Sequence, residues 1–218
     1  MITLDQIETA ARATHLTVAG AFHPGPEHNA PKGTQTLALL APFEPGFWQA
    51  FQTAPEWIDG QPDPMDRWST RTISALAAKL NATPIFPFGG PPWHPFIRWA
   101  QATGRIHKSP VTLLLHDAQG LMISFRGALA LRDAVELPAP PLSPCLTCVR
   151  SPCETACPVN ALTENGYDTD ACHRYLNTPG GTDCLDNGCR ARRSCPVSAS
   201  FDRQPAQSAY HMAQFHPA

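Results

Sequence analysis

Cys145-Leu-Thr-Cys148-Val-Arg-Ser-Pro-Cys153-Glu-Thr-Ala-Cys157-Pro158 is the stretch on which the reading of this chain turns. Four more cysteines follow at Cys172, Cys184, Cys189 and Cys195, and the last is again followed by proline, Pro196. All eight cysteines of the 218-residue chain fall between 145 and 195, and residues 1–144 contain none. In a reducing compartment such a block is a metal or redox site before it is a disulfide framework.

The spacing narrows the chemistry. The first group reads C-x2-C-x4-C-x3-C-P, and the second C-x11-C-x4-C-x5-C-P. The bacterial ferredoxin run is C-x2-C-x2-C-x3-C-P, with its fourth cysteine ligating the other cluster. A cubane needs four converging thiolates. Short loops bring three together, and the fourth comes from elsewhere in the chain. Proline after the last cysteine fixes φ, lacks an N–H, and directs the chain away. Two clusters that exchange ligands make the pair one folding unit. Two four-cysteine zinc sites are the alternative, but only Cys145/Cys148 forms a C-x2-C pair and zinc has no use for either Cys-Pro.

Outward from the cysteines, residues 136–144 (Glu-Leu-Pro-Ala-Pro-Pro-Leu-Ser-Pro) read as a proline-rich linker. Residues 1–135 read as an α/β domain of about five strands and four helices. Thr3-Leu-Asp-Gln6 is a capping box opening a helix to about residue 14. Strands are expected over residues 16–22 and 36–41, and a short one over 85–88. A helix interrupted at Pro55 is expected over 47–57. Over 66–80, Trp68, Ile73, Leu76, Ala77 and Leu80 form one helical stripe. Another helix starts at about Trp93. Residues 111–115 and 121–131 flank Asp117-Ala-Gln-Gly120 as a hairpin. Residues 201–218 carry little apolar periodicity and read as a tail, helical or loose.

Composition excludes several classes. Sixteen Lys and Arg against 18 Asp and Glu give a formal charge of −2, no electrostatic footprint for nucleic acid. No apolar run approaches a membrane span. The first eleven residues carry Asp5 and Glu8 and no basic-then-apolar pattern, so no signal peptide is expected and the expected site is cytoplasmic. There is no G-x-G-x-x-G or P-loop pattern for a nucleotide.

The cysteine block, together with Asp170-Ala-Cys172-His-Arg-Tyr-Leu176 between its halves, resembles the dicluster module of the epoxyqueuosine reductases. The resemblance implies an α+β, ferredoxin-like module over 145–200 with two [4Fe-4S] clusters. One would be held by Cys145, Cys148, Cys153 and Cys195. The other would be held by Cys157, Cys172, Cys184 and Cys189. In that family the N-terminal domain binds cobalamin, so residues 1–135 become a candidate cofactor or substrate domain. The departures are plain. The family's Asp-bearing segment is here Phe88-Gly-Gly-Pro-Pro-Trp-His-Pro-Phe-Ile-Arg98, without Asp, and its C-terminal helical repeats are absent. That separates this chain from the family's own reaction.

Other residues carry two readings each. Trp93 either stacks on a flat ligand or packs in the core, and His94 either replaces the missing acid or merely starts a helix. Arg190, Arg192 and Arg193 either raise a cluster's potential and dock an acidic donor, or form a solvated loop. His173 is a proton or electron neighbour of Cys172, or a surface histidine. Three functions remain open. The first is a two-cluster electron carrier serving a redox partner protein. The second is a reductase whose clusters reduce cobalamin or another small molecule held by residues 1–135. The third is a zinc-stapled interaction module.

Overall fold

Thr3 caps the first helix in both directions. Its hydroxyl accepts from the Gln6 N–H at 3.2 Å, and its own N–H donates to the Gln6 side chain at 3.0 Å. The helix α1 (Leu4–Arg12) ends two residues earlier than the periodicity suggests, because His15 turns left-handed (φ 60) into β1 (Leu16–Phe22). The computed structural model describes residues 2–217. It is a mixed α/β protein with small antiparallel sheets. It divides into two units, Met1–Arg105 with Ser124–Pro141, and Ile106–Ile123 with Leu142–Ala218.

The first unit is built on a four-stranded antiparallel sheet in the order β1, β2 (Thr36–Pro42), β6 (Gly127–Leu131), β3 (Thr83–Ile85). β2 lies between β1 and β6 and is buried along its whole length, which is why its sequence is almost continuously apolar. Four helices follow β2: α2 (Phe47–Gln52), α3 (Pro55–Ile58), α4 (Pro64–Lys79) and, beyond β3, α5 (Phe96–Ala102). The α4 stripe buries Trp68, Ile73, Leu76 and Ala77 as its spacing requires. Trp68 packs edge-on against Phe47 of α2, with ring centroids 5.3 Å apart. Glu56 of α3 is clamped by Arg71 of α4 through two hydrogen bonds.

Four expectations are corrected here. The short strand is Thr83–Ile85 rather than 85–88, since Phe86 and Phe88 leave the sheet and stack on each other at 5.2 Å. The helix expected at Trp93 starts at Phe96, after three consecutive residues in open loop. Residues 111–115 and 121–131 do not pair. The partner of β5 (Leu114–His116) is β4 (Ile106–Lys108), and Gly127–Leu131 joins β2 and β3 instead. The all-apolar Gly-Ala-Leu-Ala-Leu run suits a buried strand with neighbours on both sides. The Asp117–Gly120 turn keeps only one bridge, His116 to Gly120. The domain boundary therefore shifts: residues 106–123 belong with the cysteines rather than with residues 1–105.

The second unit holds the β4–β5 hairpin, the small β7 (Leu162–Thr163) and β8 (Gly166–Tyr167) pair, and five helices. These are α6 (Thr169–Leu176), α7 (Thr182–Asn187), α8 (Arg190–Ser194), α9 (Pro196–Ser200) and α10 (Pro205–Phe215). The tail is thus helical over most of its length, and α10 packs on α7.

Candidate metal centre

Local chemistry sets each cysteine. Pro144–Thr147 forms a 3₁₀ turn capped by Ser143, whose hydroxyl accepts from the Cys145 N–H at 3.4 Å. Cys148 ends that turn, its N–H donating to the Cys145 carbonyl at 3.3 Å. Pro152–Glu154 is a second 3₁₀ turn and buries Cys153. The Cys157 sulfur accepts the backbone N–H of Ala161 at 3.3 Å. Cys172 rides on the first turns of α6, whose N-cap Asp168 accepts from the Ala171 N–H at 2.8 Å. Cys184 is buried on α7, and Cys189 and Cys195 stand at the two ends of α8. Pro196 starts α9 directly after Cys195, the role expected of that proline. Pro158 instead leads through a turn to the β7–β8 pair.

The electrostatics sort the thiols by neighbourhood. Burial pushes the Cys145 thiol up, and the thiolates of Cys195 and Cys148 add to it. Burial drives Cys153 to about 11, with Cys195 and Cys145 contributing. Cys172 is raised by burial and by the neighbouring Cys189, Cys157 and Cys184. Cys184 is raised by burial, with Cys189 contributing. The influences therefore run among Cys145, Cys148, Cys153 and Cys195 on one side, and among Cys157, Cys172, Cys184 and Cys189 on the other. Four like charges brought together out of water repel one another unless they bind protons or metal. All eight cysteines are free thiols.

One set has an apolar wall that the cysteine spacing does not reveal. Val111, Leu115 and Leu121 pack with Cys153, Cys195, Leu162 and Ala191, and Leu113, Cys145 and Cys189 lie against them. The hairpin segment is held in place at Gly120, which has φ +58 and where an added Cβ would lie 2.4 Å from the Ser198 nitrogen. Next to it, the Leu121 N–H donates to the Ser198 hydroxyl at 2.8 Å.

The arginines divide. Asp183 of α7 accepts from both Arg190 and Arg193, each at 2.6 Å, and the Arg190 hydrogen bond leads in holding its carboxyl below the usual range. Arg192 donates to the Leu121 carbonyl. Desolvation lowers Arg192, while the nearby Cys189 and Tyr167 favour its charge. Arg192 is thus a cation beside the second set rather than part of a solvated loop. His173 is half-buried rather than free on the surface. It stacks on Phe215 at 4.5 Å and meets the His216 ring nitrogen at 2.6 Å. Tyr167 hydrogen-bonds Cys172, and burial pushes its phenol far up.

Trp93 is 65% exposed, so it does not pack in the core, and His94 beside it is exposed too. Neither belongs to the second unit, which holds the cysteines.

No family model, curated protein or solved structure matches the chain. Among the described residues, no three His, Cys, Asp or Glu side chains are gathered as a single metal ion would need. Two observations bear on what the second unit could hold. The Ala161 N–H already points at a cysteine sulfur. Buried polar atoms of His107, Ser109 and Gln207, all in the second unit, have no hydrogen-bond partner among the described residues. Free thiols with a backbone N–H already on one sulfur are the donor chemistry that a sulfide-rich cofactor takes.

Proposed function

We propose that this chain is an iron–sulfur protein that holds two [4Fe-4S] clusters in a ferredoxin-like module and serves a redox partner. The observation that carries the proposal is that one unit holds all eight free thiols, with Cys195 contributing to the raised Cys145 and Cys153, and Cys189 to the raised Cys172 and Cys184. That company agrees with the ligand sets implied by the resemblance to the epoxyqueuosine reductases. When bound, such clusters supply one-electron transfer, at potentials set by charge, solvent exposure and hydrogen bonds to sulfur.

The chain's own residues divide the labour. Cys153 and Cys195 are buried, and the apolar wall of Val111, Leu115 and Leu121 keeps water from that side. Cys145 and Cys148 lie in an open segment where Leu146 is 73% exposed and Val149 98%. The exposed side chains of this segment support its reading as the face a partner protein would meet. Arg192 places positive charge near the second set, which favours its reduced form.

The test is an anaerobic reductive titration of the purified chain. Uptake of about two electrons per chain, one per cluster, is the expected result. A chain that accepts no electrons overturns the proposal. The cobalamin reading rests on the resemblance alone, and the same titration separates it. Binding of added cobalamin to residues 1–135, and its reduction by the pre-reduced chain, would make the protein a reductase. A chain that takes up two electrons and leaves cobalamin unbound is a carrier.

A further inference from the structure

His107 and Ser109 have no role in the cysteine pattern, yet both lie on the hairpin whose leucines wall the first set. In the β4–β5 ladder His107 stands opposite Leu115, and the Ser109 N–H continues the ladder by donating to the Leu113 carbonyl at 2.9 Å. Residues opposite each other in an antiparallel pair, and residues two apart on one strand, share a face. Leu115 and Leu113 are the side chains that this face sends into the wall around Cys153, Cys195 and Cys145. Ser109 is only 4% exposed, and neither its hydroxyl nor the buried Nε2 of His107 meets a partner among the described residues. A hydroxyl and an imidazole nitrogen left dry in an apolar wall are costly unless something accepts from them. Three of the four cysteines at that wall, Cys145, Cys153 and Cys195, belong to the first set and one, Cys189, to the second, so the strongly accepting group that the proposed function would chiefly place beside it is the sulfur-rich cluster of the first set.

We infer that Ser109 and His107 donate hydrogen bonds to the sulfurs of the cluster held by Cys145, Cys148, Cys153 and Cys195, so that the hairpin 106–123 sets its reduction potential. The inference rests on the two-cluster reading. Donors to sulfur favour the reduced, more negative form and raise the potential. These are positioning residues for charge, not ligands, so their loss leaves iron bound and moves the midpoint.

The experiment is a redox titration of the anaerobically purified full chain, followed by electron paramagnetic resonance. Cys148→Ser identifies which signal belongs to this set. Ser109→Ala and His107→Leu are each expected to keep full iron and sulfide. Each should also shift the one-electron equilibrium of that cluster toward the oxidised form by about tenfold, or about 59 mV. The other cluster should hold its native midpoint as an internal reference. His107→Gln, which keeps an N–H at a similar reach, and Ser109→Thr, which keeps the hydroxyl, are expected to restore most of the native value. Native iron content with unmoved midpoints in both Ser109→Ala and His107→Leu overturns the inference alone and assigns the groups to bound water. A native chain without iron overturns the two-cluster reading itself.

Discussion

Gly188 separates Cys184 from Cys189, and replacing it with alanine tests whether the helices hold the second set in place. Its backbone sits at φ 87 and ψ 167, a region that side-chain-bearing residues avoid. That conformation alone costs alanine about 1–3 kcal/mol. The new Cβ would also lie 2.7 Å from the Ser208 Cβ and 3.2 Å from its hydroxyl, on α10. Overpacking of this kind costs about 1–3 kcal/mol more. The Gly188 N–H donates to the Cys184 carbonyl at 2.9 Å, and its own carbonyl accepts from Arg193 at 3.0 Å. The strain therefore falls on the turn that positions both cysteines. A total of about 2–6 kcal/mol raises local opening by about 30-fold to 10⁴-fold. Native-state hydrogen exchange of the 184–189 amides reads that opening, with iron content alongside. Gly188→Ala is expected to lose protection there and to lose iron from the set containing Cys157, Cys172, Cys184 and Cys189. Adding Ser208→Gly is expected to recover the packing part of the loss and leave the backbone part. Native protection and native iron in Gly188→Ala would refute the reasoning.

Three more outcomes follow from the same geometry. Cys148→Ser is expected to lower iron from about eight to about four per chain, and full iron with an unchanged visible spectrum would remove Cys148 from the ligands. Gly120→Ala drives a Cβ to 2.4 Å from the Ser198 backbone nitrogen in a left-handed conformation, so about 3 kcal/mol or more of local stability is expected to go. An unchanged exchange rate at the Leu121 amide would contradict it. Glu56, whose carboxyl is held down chiefly by its hydrogen bond to Arg71, contributes stability that is present above the ordinary glutamate pKa and lost as pH falls through its lower folded value. Glu56→Gln is expected to cost about 1–2 kcal/mol at pH 7 and to flatten acid unfolding of the first unit, and identical acid midpoints would rule out that role.

What could be read in the sequence was what local rules control. The Thr3–Gln6 capping box, the apolar run of β2 and the α4 stripe are local patterns, and each forms as written. That all eight cysteines fall within residues 145–195 was visible in the sequence, whereas which four belong together was implied by the resemblance and not by the spacing. The hairpin 106–123 was misplaced because β4 is three residues long and carries His107 and Lys108, so no alternating apolar signal marks it. Its contribution to the wall around Cys153 depends on contacts across long sequence separations. The helix α10 was hard to read for the opposite reason. The residues it buries are Gln207 and Ser208, so hydrophobic periodicity says nothing about where it packs. Trp93 misled in its turn: aromatic residues usually seek the core, but the proline-rich loop before α5 leaves this one outside.

The most direct measurement is iron, acid-labile sulfide and zinc per chain, with a visible spectrum, on protein purified without air. The two-cluster account predicts about eight iron and eight sulfide with a broad absorption near roughly 400 nm. About two zinc, no sulfide and no colour would contradict it and leave a structural metal module in its place.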